Sequence, residues 1–238
     1  MDWSRAKTIL IIVFALLNLL LAYQLWSDRL WFSGDQPELT EEDRALAQVL
    51  ELKSIRLLTD LPDETPALGE VTVNVHPENG VPETVALEEP FQLAEPFVAE
   101  ASKEALAKAL SRDLDYVYSA ADSRRDVHVF FQQHKGYPLF DIRVELFVEN
   151  GMVTGYRRLR AEELADAGGK EQQVLSARQA VIMLAEKYLS PEEHIYDVRL
   201  GYHGQAFNSE TRVMAPYWRI LTAGGGRYYV HAVTGAVE

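Results

Sequence analysis

The 238-residue chain carries a formal net charge of −13 and is 47 % hydrophobic, enough apolar side chain to build one large or two small globular domains. In the first 26 residues Arg5 and Lys7 stand against Asp2. The negative excess therefore lies beyond them and argues against nucleic acid or an anionic lipid surface as a ligand of that part. There is no cysteine, which excludes disulfides, thiol redox chemistry, thiolate catalysis and cysteine-based metal sites.

Residues 1–7 are a short polar start, and from Thr8 to Trp26 the run TILIIVFALLNLLLAYQLW has no formal charge. At about 1.5 Å per residue these nineteen positions just cross a hydrocarbon core of roughly 30 Å. A cleaved signal peptide has a shorter apolar region followed by small residues, whereas this run ends in Tyr23, Gln24, Leu25 and Trp26. The expectation is an uncleaved transmembrane helix over 8–26. Arg5 and Lys7 precede it and the following segment turns acidic, so the N-terminus is expected in the cytoplasm and residues 27–238 outside the cell membrane. Trp3 at one end, and Tyr23, Trp26 and Trp31 at the other, suit the headgroup level.

Spacings of three and four put Ala15, Asn18 and Ala22 on one stripe of this helix, continued by Leu25. Small residues let backbones approach closely, and an asparagine in hydrocarbon gains about 1–2 kcal/mol in model peptides from a hydrogen-bonding partner. The stripe is a candidate partner-binding face. An asparagine and two alanines would also pass unnoticed in a plain anchor.

Residues 27–90 form a juxtamembrane connector, a helix and a proline-rich lead-in. ELTEEDRALAQVLELKSI predicts a helix with Thr40 as N-cap and acids in its first turn, stopping before Leu61–Pro62. In the stretch up to Pro90 only EVTVNV alternates as a strand, and the prolines limit regular structure. The segment 61–97 is either a long ordered loop or a flexible lead-in.

Two similar units follow, over 91–165 and 166–238. In the first, FVAEASKEALAKALSRDL places Val98, Ala101, Ala105, Leu106, Ala109 and Leu110 on one helical face. Three strand-like runs come next, punctuated by HKGYP and by Asn150–Gly151, a hairpin-turn dipeptide. In the second, SARQAVIMLAEKY places Ala177, Ala180, Val181, Leu184, Ala185 and Tyr188 on one face with Ser176 as N-cap. YDVRLGYH, APYWRILT and RYYVHAVTGAVE then read as strands, with Gly224–Gly225–Gly226 turning between the last two. The expected fold class is α+β: a transmembrane helix followed by two helix-plus-antiparallel-sheet units that suggest a structural duplication.

Chemistry is sparsely marked. No two of His76, His128, His134, His194, His203 and His231 have the helical spacing with an acid that H-E-x-x-H requires, and His128 and His231 sit inside strand patterns. No G-x-S-x-G marks a nucleophile, and the triple glycine lacks the frame of a phosphate loop. Acid pairs such as Glu88–Glu89 and Glu192–Glu193 are solvated loop or helix-start residues more often than a glycosidase pair. No catalytic, cofactor or metal site is expected. Strand aromatics, Tyr217, Trp218, Tyr228 and Tyr229 among them, divide between core and an exposed face suited to a protein partner.

The opening DWSRAKTI, the span with Asn18 and the closing LAYQLW resemble the YycI (WalI) family of Gram-positive bacteria. The resemblance extends in length and arrangement over the whole chain. It implies a non-enzymatic, membrane-anchored accessory protein that acts with a YycH-like protein on the sensor histidine kinase WalK (YycG), whose two-component system controls cell-wall metabolism. Transmembrane helices would meet those of the kinase, and external domains would meet each other.

Separately, SARQAVIMLAEKY, YWRI and YYVHAVTGAVE resemble the PepSY pattern, most strongly at Val230, Ala232, Thr234, Gly235 and Val237, where the Thr–Gly step can also simply close a turn. The PepSY likeness leaves open a tethered modulator of an extracellular peptidase. A wall-ligand receptor or hydrolase would need a concave polar pocket.

Overall fold

The computed structural model describes residue 14 and residues 40–77, 84–92, 99–110, 115–164, 170–204 and 211–238. It has two compact units, residues 1–44 and residues 45–238. The described residues form an α+β structure, mostly sheet, with three helices of a full turn or more.

Helix α1 (Glu41–Leu52) starts where the sequence places it. Thr40 Oγ1 accepts from Asp43 N at 3.1 Å, and Asp43 Oδ2 accepts from Thr40 N at 3.0 Å, a reciprocal cap that satisfies two exposed N–H groups. It ends at Leu52, three residues short of the predicted run, where the chain turns through Ser54 at φ +53°.

Short strands β1 (Arg56–Leu57) and β2 (Ala67–Leu68) lead to β3 (Val71–Pro77), the predicted EVTVNV strand. The proline-rich segment then departs from expectation, because β4 (Val85–Gln92) is a further strand. It lies along β8 with its register broken between Ala86 and Phe91, and Pro90, which has no N–H to give, falls inside that break.

Helix α2 (Ala99–Leu110) precedes β5 (Tyr116–Ser119), β6 (Val127–His134), β7 (Tyr137–Glu149) and β8 (Met152–Leu164). β7 and β8 are joined at Asn150 (φ +51°) and Gly151 (φ +77°), the two positive φ angles the tight turn requires. β9 (Gln172–Gln173) pairs with β2, and α3 (Ala177–Lys187) is followed by β10 (His194–His203), β11 (Thr211–Thr222) and β12 (Arg227–His231).

Ten strands form one sheet in the order β1-β10-β11-β3-β8-β7-β6-β5, with β12 on β11 and β4 on β8. A parallel contact of Tyr202 with Leu139 also joins β10 to β7, so β10, β11, β3, β8 and β7 follow one another around a closed ring. Val71, Val73, Val75, Leu139, Ile142, Ala161, Tyr202 and Met214 form a buried cluster drawn from all five of these strands.

Two further clusters seat helices. Ala105, Leu106, Ala109 and Leu110 of α2 pack with Phe130, Val144, Leu146 and Val153. Ala177, Ala180, Val181, Leu184 and Ala185 of α3, all fully buried, pack with Val198, Leu200, Trp218, Ile220 and Val230. Burying a leucine such as Leu184 stabilises by about 1.5–3 kcal/mol. Tyr188, expected on the buried face of α3, is instead 52 % exposed because the helix ends at Lys187 and Tyr188 is its C-cap.

The transmembrane expectation over 8–26 falls outside the described residues except for Phe14, which is helical. Among the described residues no helix is long and apolar enough to cross a membrane.

Candidate functional site

Polar chemistry concentrates on the face of β10–β12 that turns away from α3. Side chains alternate along a strand, so Trp218 and Ile220 enter the α3 core and Arg219 between them faces the other way. A register shift between Ile195 and Asp197 lets Ile195 join the core while Asp197, two residues on, reaches Arg219.

Arg219 has no exposed surface. Its Nη1 donates to Asp122 Oδ2 at 2.6 Å and its Nη2 to Asp197 Oδ2 at 2.8 Å. The guanidinium carbon lies 4.7 Å from the Phe140 ring centre and 5.2 Å from that of Phe131, a double cation–π contact. Asp122, in the turn between β5 and β6, also accepts from Ser119 Oγ at 2.6 Å and from Arg227 Nη2 at 2.8 Å. Burial pushes the Asp122 carboxyl up, but Arg219, the Ser119 bond and Arg227 outweigh it and hold the group below the usual carboxylate range.

An aromatic group continues this face. The His203 ring stacks on Tyr229 at 3.8 Å between centres, with Tyr217 edge-on at 5.5 Å, and its Nδ1 is 2.9 Å from Asp141 Oδ2. Tyr217 Oη donates to Glu238 Oε1 at 3.2 Å; burial first, then the Glu238 charge, push its hydroxyl up to about 12. Gly201 makes the packing possible, since a Cβ there would stand 2.5 Å from Pro138 O and 2.6 Å from the Phe140 ring.

Beside Arg227 and Tyr229 opens a cleft of about 470 Å³ whose walls also carry Arg143, Arg157, Arg158, Arg212, Asp141 and Glu145. Glu145, 7 % exposed, is shared: Arg143 Nε lies 2.9 Å from its Oε1, and Arg157 grips its Oε2 through Nε and Nη2. The cleft wall thus sets five arginines against two carboxylates. His203 with Asp141 has the form of an oriented base, yet no hydroxyl is bonded to its ring among the described residues. Nor is there a group of three or more possible metal ligands among those residues.

The predicted partner-binding stripe, Ala15, Asn18, Ala22 and Leu25, lies outside the described residues. His128 sits in β6, 8 % exposed, where burial lowers its tendency to take a proton. Glu193, one of the acid pairs, accepts from Gly224 N at 2.9 Å and so holds the triple-glycine turn. Of the PepSY-like residues, Val230 bridges to Val237 and Gly235 takes φ +74°, a turn. Motif and spacing do not mark the arginines. Their signal was charge inside apolar strands: Arg219 in YWRILT, and Asp141, Arg143 and Glu145 at alternate positions of YPLFDIRVELFVE.

A family model described as YycI protein matches residues 68–233, most of the chain. This protein belongs to the YycI family. The match takes in all of the arginine cleft and the Arg219 cluster, so both lie within the part that carries the YycI assignment. The YycI family is one of regulatory accessory proteins associated with the WalK (YycG) kinase system. No curated protein matches the chain. Among solved structures, an uncharacterized protein from Eubacterium rectale ATCC 33656 is similar at 13 % identity, over 87 % of this chain and 83 % of its own, with a TM-score of 0.41.

Proposed function

We propose that this YycI-family protein is a single-pass, N-in membrane protein that regulates the sensor histidine kinase WalK (YycG) by binding and without catalysis. The YycI match over residues 68–233 is the observation that supports this reading, joined to the uncharged run 8–26. The external region, a repeated helix-plus-meander arrangement, engages a YycH-like accessory protein and sets the position of the transmembrane helix. That helix meets the kinase through Ala15, Asn18, Ala22 and Leu25 and biases it by contacting its two states unequally. Asn18→Leu keeps or raises the anchor's hydrophobicity while removing the polar contact. It is expected to change kinase-dependent transcription at unchanged protein level, and unaltered output would remove the stripe from the mechanism.

A further inference from the structure

The cleft between β7, β8, β11 and β12 holds more positive charge than its own carboxylates answer. Glu145 serves both Arg143 and Arg157, Arg227 is taken by Asp122, and Asp141 is taken by His203 and by Gly204 N at 3.0 Å. Among the described residues Arg158 and Arg212 are in no ion pair, and the buried Nε of Arg212 and Nε and Nη2 of Arg158 have no hydrogen-bond partner there; Arg158 is 6 % exposed. A guanidinium N–H removed from water without an acceptor costs free energy, and an anionic oxygen brought to it returns that cost.

The cleft's form narrows the occupant. At about 470 Å³ it falls in the range of small-molecule sites and is larger than a single phosphate or acetate fills. Guanidinium forks grip carboxylate and phosphate alike, by paired N–H···O bonds. The chain's net charge of −13 opposes a long polyanion or an anionic membrane, whose many charges would meet the whole surface. A small anion inside a recess responds mainly to the charges lining it. We infer that this cleft is a binding site for a small molecule bearing two or more phosphate or carboxylate groups, with Arg212 and Arg158 as its principal grips, Arg143 and Arg157 beside them, and the Tyr229 and Phe140 rings as its apolar wall.

The test uses the full chain in detergent, with inorganic diphosphate and citrate as probes and ionic strength held constant with chloride. At about a hundred times Kd, a binding probe raises Tm by on the order of 5 °C. A response to diphosphate alone assigns phosphate-bearing ligands, to citrate alone carboxylate-bearing ones, and to both a site that selects charge. Arg212→Gln is expected to weaken binding about tenfold or more, by loss of charged hydrogen bonds. Glu145→Gln, which releases Arg143 and Arg157, is expected to tighten it several-fold, and Arg124→Gln, exposed and outside the cleft, to leave it unchanged. No shift with either probe, or one that Arg212→Gln leaves in place, overturns the inference.

Discussion

Arg219 is tolerated in the middle of a sheet because two carboxylates and two aromatic faces surround its charge. Removing it would take from Asp122 and Asp197 the buried cation they share. Breaking a buried pair in this way costs about 3–5 kcal/mol, so Arg219→Leu should lower the urea midpoint sharply. The sign of the pH effect follows from Asp122, whose folded pKa is depressed. Its contribution is complete above the unfolded carboxylate value near ~3.9 and disappears as pH falls through the folded value. Asp122→Asn should therefore be less stable at neutral pH and lose less stability between neutral pH and pH ~3. Tyr217 is the opposite case, raised to about 12. Its contribution is complete below the unfolded value near ~10 and is lost as pH rises towards the folded one, so Tyr217→Phe should flatten the alkaline limb of a stability profile over that window.

Helix α3 shows how an element is fixed at both ends. Ser176 Oγ accepts from Gln179 N at 3.1 Å and Gln179 Oε1 accepts from Ser176 N at 3.3 Å, a capping box whose loss in Ser176→Ala should cost about 1 kcal/mol in chemical denaturation. At the other end Lys53 Nζ donates to the carbonyls of Ala185, Glu186 and Leu189 at 2.6, 3.0 and 3.1 Å. A cation there answers both the unpaired carbonyls and the helix dipole, and Lys53→Met should cost about 1–2 kcal/mol. The Ser176 cap was legible because capping is local in sequence. The Lys53 contact was not, because its partners lie more than 130 residues away. The same division explains the strands. Asn150–Gly151 declares its turn by residue type, whereas β4, with Pro90 in it, becomes a strand only by finding the edge of β8.

For the molecule as a whole, the sequence carries the α+β class and those helices and strands whose periodicity is written in the segment itself. It does not carry the ring closure through Tyr202 and Leu139 or the convergence of arginines from β7, β8, β11 and β12, which depend on pairing between distant segments. The regulatory reading turns on the run 8–26, where the chain offers length, apolarity and one asparagine. Replacing residues 8–26 by an unrelated transmembrane helix of equal length and orientation addresses it directly, with kinase-dependent transcription and copurification of the kinase as readouts. The account predicts loss of both at normal protein level. Retention of both would contradict it, reducing the helix to a tether and moving the function to the external sheets.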